Sequence, residues 1–442
     1  MKIFTRNSKL QSYGVKTEAF PPAHIDAFSP ILLVSVFFII EFVIPYGYLV
    51  INKPWERSSS YVSIISIADL NWAFGVAVAF FLSWCTGYAH GSTLKSAPYF
   101  LNYKIERTQA IKTSRIIVVV ISAIVIYYSL YFIHPARSAS SRMELTSGVF
   151  GSIFFLWISV LFALLWISCS ELLQKFARSK SKFALLSALI IVSIVVLAFF
   201  PLGGRGRALV SVLYFFVIWH YLVSPLSVRT VWTVFFVGNL VVVLIAYIQL
   251  APTHKDLDIL DLAFGLQHGR NFDRLLNLAV TLRAFELDYT RFHYGSAFVA
   301  DILGDLGIRF SHKDSRVMYM TEVLRMPSFL AGFPPSRPGE FYMAFGLPGV
   351  LGGGYLLGLV AQRVYRYLII ERRLGILSIG VYFTFVFTGG FVQQTGYVFN
   401  KAVLTTFSTL IIIPVAILFF GYRIKRVRKK NQSANNLQDT NS

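Results

Sequence analysis

Apolar residues in this chain fall in long runs separated by shorter polar stretches. The runs lie near 30–51, 70–90, 115–134, 148–169, 183–202, 207–224, 229–251, 341–361, 375–392 and 402–421. Runs of about 20 apolar residues have the length at which an α-helix crosses about 30 Å of hydrocarbon. Hydrocarbon offers the backbone no hydrogen-bond partner, so such runs must be helices. The pattern predicts an all-α protein, a polytopic transmembrane bundle of about ten spans. The fifth and sixth runs are the weakest spans of the ten. Only Gly203–Gly204–Arg205–Gly206–Arg207 joins them, just after Pro201.

The longest polar stretch, 252–340, carries its own periodicity. In 270–286, Phe272, Leu275, Leu276, Ala279, Leu282 and Phe285 share one helical face, while Arg270, Asp273, Arg274 and Arg283 occupy other positions. Further candidates are 297–308, with Val299, Ile302, Leu303 and Leu306, and 315–326, with Val317, Met320, Val323 and Leu324. Short amphipathic helices of this kind lie on a membrane interface or cap a bundle. The segmentation is therefore a 1–29 arm, spans 1–7 over 30–251, a 252–340 loop, spans 8–10 over 341–421, and a 422–442 tail.

Composition agrees with a membrane protein. Hydrophobic residues make up 55% of the 442 and charged residues only 14%, with a mean hydropathy of +0.62. A net charge of +20 raises the question of nucleic acid, but its distribution answers another one. With the arm inside, inner segments carry 24 of the 41 Lys and Arg, the short outer loops 7 and the long loop 10. That asymmetry puts both termini in the cytoplasm and the long loop outside. The arm, with Lys2, Arg6, Lys9 and Lys16, reads as cytosolic rather than as a cleavable signal. The basic tail, with Arg423, Lys425, Arg426, Arg428, Lys429 and Lys430, then faces anionic inner-leaflet lipids. The two cysteines, Cys85 and Cys169, lie inside predicted spans, which excludes a disulfide framework. Walker, Rossmann and nucleophile-elbow motifs are missing, which argues against ATP-driven pumping and serine hydrolysis.

Three stretches carry candidate chemistry. The first is the Gly203–Arg207 segment, whose Arg205 and Arg207 stand at an outer mouth that the orientation rule disfavours for cations. Glycine permits close backbone approach, and guanidinium pairs bidentately with phosphate oxygens. A tight turn whose arginines snorkel to lipid phosphates is the plainer alternative. The second is Pro334–Pro335–Ser336–Arg337–Pro338–Gly339–Glu340–Phe341–Tyr342, which brings a carboxylate to the start of the eighth run. Beyond it, Gly346, Gly349, Gly352, Gly353, Gly354 and Gly358 suit close helix packing. Glu340 is either functional or a helix cap, worth about 0.3–1 kcal/mol. The third is His268–Gly269–Arg270–Asn271–Phe272–Asp273–Arg274, where His268 is a base, a phosphate donor or a solvated loop residue. Asp301 and Asp305 stand one helical turn apart with no third ligand at fixed spacing, so no metal is expected. Glu41 lies inside the first run; Asp69 and Asn71 are placed to cap the second.

These stretches, in this order, resemble the bacterial oligosaccharide repeat-unit polymerases, the Wzy-type O-antigen and enterobacterial-common-antigen polymerases. The likeness lies in Gly204–Arg205–Gly206 between middle spans, the long outer loop, and Gly339–Glu340–Phe341 through Phe345–Gly346–Leu347–Pro348–Gly349. The chain departs from the pattern in Pro348, in Ala344 where asparagine is common, and in the second arginine, Arg207. The resemblance implies a multi-pass protein of the bacterial inner membrane that acts as a lipid-diphosphate-dependent glycosyltransferase in surface-polysaccharide (lipopolysaccharide O-antigen-like) synthesis. Its substrate would be an oligosaccharide on an undecaprenyl diphosphate carrier, with no cofactor and no nucleic acid. Membrane lipids, a chain-length regulator and a flippase are the implied partners. On this reading Arg205, Arg270, Glu340 and His268 are catalytic. Arg207, Arg337, Asp273 and Tyr342 are substrate-binding. An O-antigen ligase, a lipid-linked oligosaccharide flippase or transporter, and a membrane scaffold are the competing readings.

Overall fold

The first apolar run forms one helix with an irregular middle in the computed structural model of the protein. The structure describes residues 26–53, 64–94, 168–199, 205–250, 274–305, 318–325 and 336–371, two short strands and a few single positions such as Tyr382. Helix α1 spans Pro30–Asn52. Within it, Ile39–Val43 winds as a π turn, where the N–H of Ile44 donates to the carbonyl of Ile39. Pro45 has no N–H to give the carbonyl of Glu41, and the ladder slips by one residue just before it. Glu41 therefore sits on a bulge rather than a regular turn.

Helix α2 spans Ile67–Thr93 and starts at a capping box. The Ser66 hydroxyl accepts the N–H of Asp69, and the Asp69 carboxylate accepts the N–H of Ser66 at 2.7 Å. Asp69 thus shares the cap of this helix with Ser66, whereas Asn71, also expected to cap it, lies inside the helix. Phe38 stacks on Phe81 at 4.5 Å and Tyr46 on Phe74 at 4.2 Å, and the Tyr46 hydroxyl donates to Asn71. Partner numbers fall along α2 as they rise along α1, so the two helices are antiparallel.

Helices α3 (Lys182–Phe199), α4 (Arg205–Leu222) and α5 (Val228–Leu250) are apolar, and α3 packs against α4. Helix α4 begins at Arg205, so Arg205–Gly206–Arg207 is a first helical turn rather than part of an open turn. Next come α6 (Arg274–Glu286) and α7 (Ser296–Asp305), then a π turn at Tyr319–Val323. Helix α8 covers Arg337–Tyr365 and runs on as a π turn to Ile370. Outside the helices, β1 (Tyr103–Arg107) pairs antiparallel with β2 (Tyr422–Arg426).

The closest helix pair is α2 with α8, and glycine is the reason. A Cβ on Gly87 would strike the backbone of Tyr355, and one on Gly358 the backbone of Trp84. A Cβ on Gly354 would stand 2.7 Å from the carbonyl of Phe80. The Ser83 hydroxyl donates to the carbonyl of Leu351 at 2.5 Å. Numbers rise together along both helices, so α2 and α8 run parallel. In such an interface van der Waals contact between backbones replaces the hydrophobic effect as the adhesive. Among the described residues, α1, α2 and Arg337–Ile370 are the three helices long and apolar enough to cross a membrane. The described residues are thus mostly helical, and three of the helices could span a membrane.

Helix α6 departs from the sequence expectation. It is not amphipathic with a solvated face: every residue from Arg274 to Leu282 is buried, together with Ala284. It packs inside the bundle against α2, α8 and the π turn of α1. Its polar positions Arg274, Asn277 and Thr281 turn inward rather than out, and the Thr281 hydroxyl donates to the carbonyl of Asn277 at 2.7 Å.

Candidate functional site

Helix α8 does not run straight from its N-terminus. Phe345 and Gly346 leave helical geometry, with Gly346 at φ 64° and ψ −150°. That region is open essentially only to glycine. The bend folds the first two turns back along the helix. In a straight helix Phe341 and Gly353 would lie about 18 Å apart along the axis. Here the Phe341 ring covers Gly353, and its carbonyl lies where a Cβ on Gly349 would stand. Both glycines are needed for the fold-back.

The break frees carbonyls, and a strap of the loop satisfies them. Pro348 has no N–H for the carbonyl of Ala344. The N–H of Tyr294 donates to it instead at 3.0 Å, and that of His293 to the carbonyl of Met343 at 3.2 Å. The Phe292 ring covers Gly346, and the Phe345 ring covers Gly295, itself at φ 81°. Phe285, Phe292 and Tyr342 form one aromatic group, with Phe285 stacked on Phe292 at 4.7 Å. The His293 Nδ1 accepts the N–H of Gly295, and burial pushes this imidazole down to about 4.

The folded-back turns carry the charges. Ser336 is the N-cap of α8, its hydroxyl accepting the N–H of Gly339 at 3.2 Å. Glu340 is thereby released from capping. Its carboxylate lies 3.4 Å from the Arg337 guanidinium, and both residues are 0% exposed. The charges of Glu41 and Arg274 also act on Arg337, the first attracting it and the second repelling it. Gly339 brings the backbone of this segment against Thr281 and Leu278 of α6. The buried Arg337–Glu340 pair thus lies within electrostatic reach of Glu41 on α1 and of the buried Arg274 on α6. Buried charges are costly unless paired, which marks the cluster as a candidate site.

Of the residues predicted from sequence, the structure brings Glu340, Arg337 and Tyr342 onto one short helical segment. Arg337 and Glu340 face inward, and Tyr342 belongs to the aromatic group under the strap. Arg205 and Arg207 lie on the first turn of α4. His268, Arg270 and Asp273 lie outside the described residues. Arg274 was passed over as a site residue, and Glu41 was left undecided. The signal for Arg274 was the spacing of Arg274, Asn277 and Thr281, a polar stripe along one side of an apolar helix. Among the described residues no group of three His, Cys, Asp or Glu is placed to hold a metal ion. Compared with family models, curated proteins and solved structures, the chain shows no match.

Proposed function

We propose that the protein is a membrane glycosyltransferase that joins oligosaccharide units carried on undecaprenyl diphosphate, as the repeat-unit polymerases it resembles do. The observation that carries the reading is the buried Arg337–Glu340 pair on the folded-back start of α8, with Arg274 and Glu41 within electrostatic reach of it. A polyprenyl diphosphate presents a dense anion at the edge of hydrocarbon. Arginines held out of water are the groups that stabilise such an anion as it leaves. The reaction breaks the bond between an anomeric carbon and the diphosphate. A hydroxyl oxygen of the acceptor sugar forms the new bond, its proton passes to a base, and the carrier diphosphate departs. Burial and the contact with Arg337 favour a positioning role for Glu340, which leaves His268 as base. Arg205, Arg207 and Arg270 are the remaining diphosphate ligands; a helix N-terminus, where Arg205 and Arg207 lie, favours an anion.

The same reading includes about ten spans with both termini cytoplasmic and the 252–340 loop outside, in a bacterial inner membrane. Two packing relations support it. Antiparallel α1 and α2 suit consecutive spans, and parallel α2 and α8 suit two even-numbered ones. The burial of α6 makes the loop an inserted part of the bundle rather than a roof.

One observation favours a second reading, a secondary transporter for an anionic substrate. Broken helices beside buried ionisable groups are what carriers use at their binding sites. Lipid-linked glycans from cells with and without the gene test the proposal. Single repeat units that accumulate on the carrier at the outer face support the polymerase. Undecorated lipid A core, or units retained at the inner face, contradict it in favour of a ligase or a transporter.

A further inference from the structure

A second polar cluster joins the start of α1 to the last turns of α4 and α8. Its centre is Asp26, four residues before α1. The Tyr221 and Tyr365 hydroxyls donate to its Oδ2 at 2.8 and 2.5 Å, from the last turns of α4 and α8. On the other oxygen, Oδ1 accepts the N–H of Phe28 at 2.9 Å and stands 3.1 Å from Nε2 of His220. His220 Nδ1 accepts the N–H of Leu226 at 2.8 Å, so the ring proton belongs on Nε2, facing the carboxylate. Tyr382 donates to the carbonyl of Phe28 at 2.6 Å, and the Phe28 ring meets the His220 ring edge-on at 5.2 Å. Ala27 and Phe28 are 0% and 1% exposed.

We infer that Asp26 is the hub of a clasp that fixes the start of α1 to the ends of α4 and α8 and to Tyr382. Each of its oxygens serves two groups, so the carboxylate is fully used without any ligand. Burial alone would raise its carboxyl. Its contacts with His220, Tyr365 and the Phe28 N–H outweigh burial and hold it below the ordinary value. The clasp therefore stays ionised and closed at neutral pH, which argues against a proton-carrying role. It also has a geometric consequence. Helix α1 carries Asp26 just before its first turn and Glu41 in its bulge; α8 carries Tyr365 in its last turns and Arg337–Glu340 on the segment folded back along it. The clasp fixes α1 to α8 away from the break, and so sets how Glu41 stands towards Arg337. The inference rests on side-chain geometry and is independent of the reaction proposed above.

Thermal unfolding of the full chain in detergent tests it. Tyr221→Phe and Tyr365→Phe each remove one of two donors on a single oxygen, so each alone lowers the midpoint by about 2–4 °C at most. Together they strip Oδ2 of both, and the double variant falls by more than the sum. In Asp26→Ala, which has no acceptor left, adding Tyr365→Phe lowers the midpoint no further. Additive losses in both cycles, or an unchanged midpoint in the double tyrosine variant, overturn the clasp. The tyrosine cycle keeps the test decisive even where Asp26→Ala does not accumulate.

Discussion

The Arg337 guanidinium lies 3.4 Å from the Glu340 carboxylate, and neither side chain reaches solvent. Removing one partner leaves an uncompensated buried charge, a cost of about 3–5 kcal/mol. Arg337→Met and Glu340→Gln are each expected to destabilise by amounts of that order. The combined variant is expected to be nearer the parent than the sum predicts. Unfolding in detergent checks this directly. Activity separates the roles further. If Glu340 positions Arg337, Glu340→Gln lowers the elongation rate but keeps the acidic limb of the pH–rate profile; if it is the base, the limb is lost.

The α2–α8 contact has no room for a side chain. Gly358→Leu places a side chain against the backbone of Trp84 and Tyr88, and Gly354→Leu against that of Phe80. Either is expected to part the helices and abolish accumulation of folded protein. Gly352 has nothing within 4 Å, so Gly352→Leu is the control. Fluorescence-detected size exclusion distinguishes the three.

Gly346 is held where only glycine is comfortable, and a Cβ there would stand 3.3 Å from the Phe292 ring. Gly346→Ala is expected to cost about 1–3 kcal/mol by backbone strain alone. Gly352→Ala, in the same helix without the strain, sets the baseline. Equal unfolding midpoints for the two would show that the break is not a fixed feature.

His293 is the group most open to test by pH. Its folded value of about 4 lies below the ordinary 6.5. Between those values the unfolded chain holds a proton that the folded chain does not. The contribution is therefore fully present above about pH 6.5 and is lost as pH falls towards 4. Midpoints measured from pH 8 to 4 are expected to fall more steeply for the parent than for His293→Asn, whose amide oxygen still accepts from Gly295.

Much of this arrangement was legible in the chain, and what escaped has a physical reason. The apolar runs located α1, α2 and α8, and Asp69 announced a cap of α2, though its partner Ser66 did not. The glycines of α8 announced close packing, but sequence does not say with which helix. Helix α6 was found by its period and misread in its setting. Arg274, Asn277 and Thr281 suggest a wet face when solvent is assumed, whereas here the polar stripe meets the charges of α8. Gly346 reads in the sequence as one more small packing residue and Pro348 as a departure from the family pattern, so neither announces the break. That the first turns fold back depends on Phe341 fitting Gly349 and Gly353, a tertiary match with no local signature. Asp26 lay in a polar arm with no pattern to single it out, and its donors come from positions 195 and 339 residues away.

The central claim is that this chain itself elongates a lipid-linked glycan, with the Arg337 cluster holding the diphosphate. Purified protein in detergent, supplied with one lipid-linked repeat unit and no membrane compartments, tests it most directly. The account predicts a ladder of longer lipid-linked glycans by mass, lost in a folded Arg337→Lys variant. A substrate recovered unchanged in mass, by a protein that binds it, would contradict the account and leave transport as the reading.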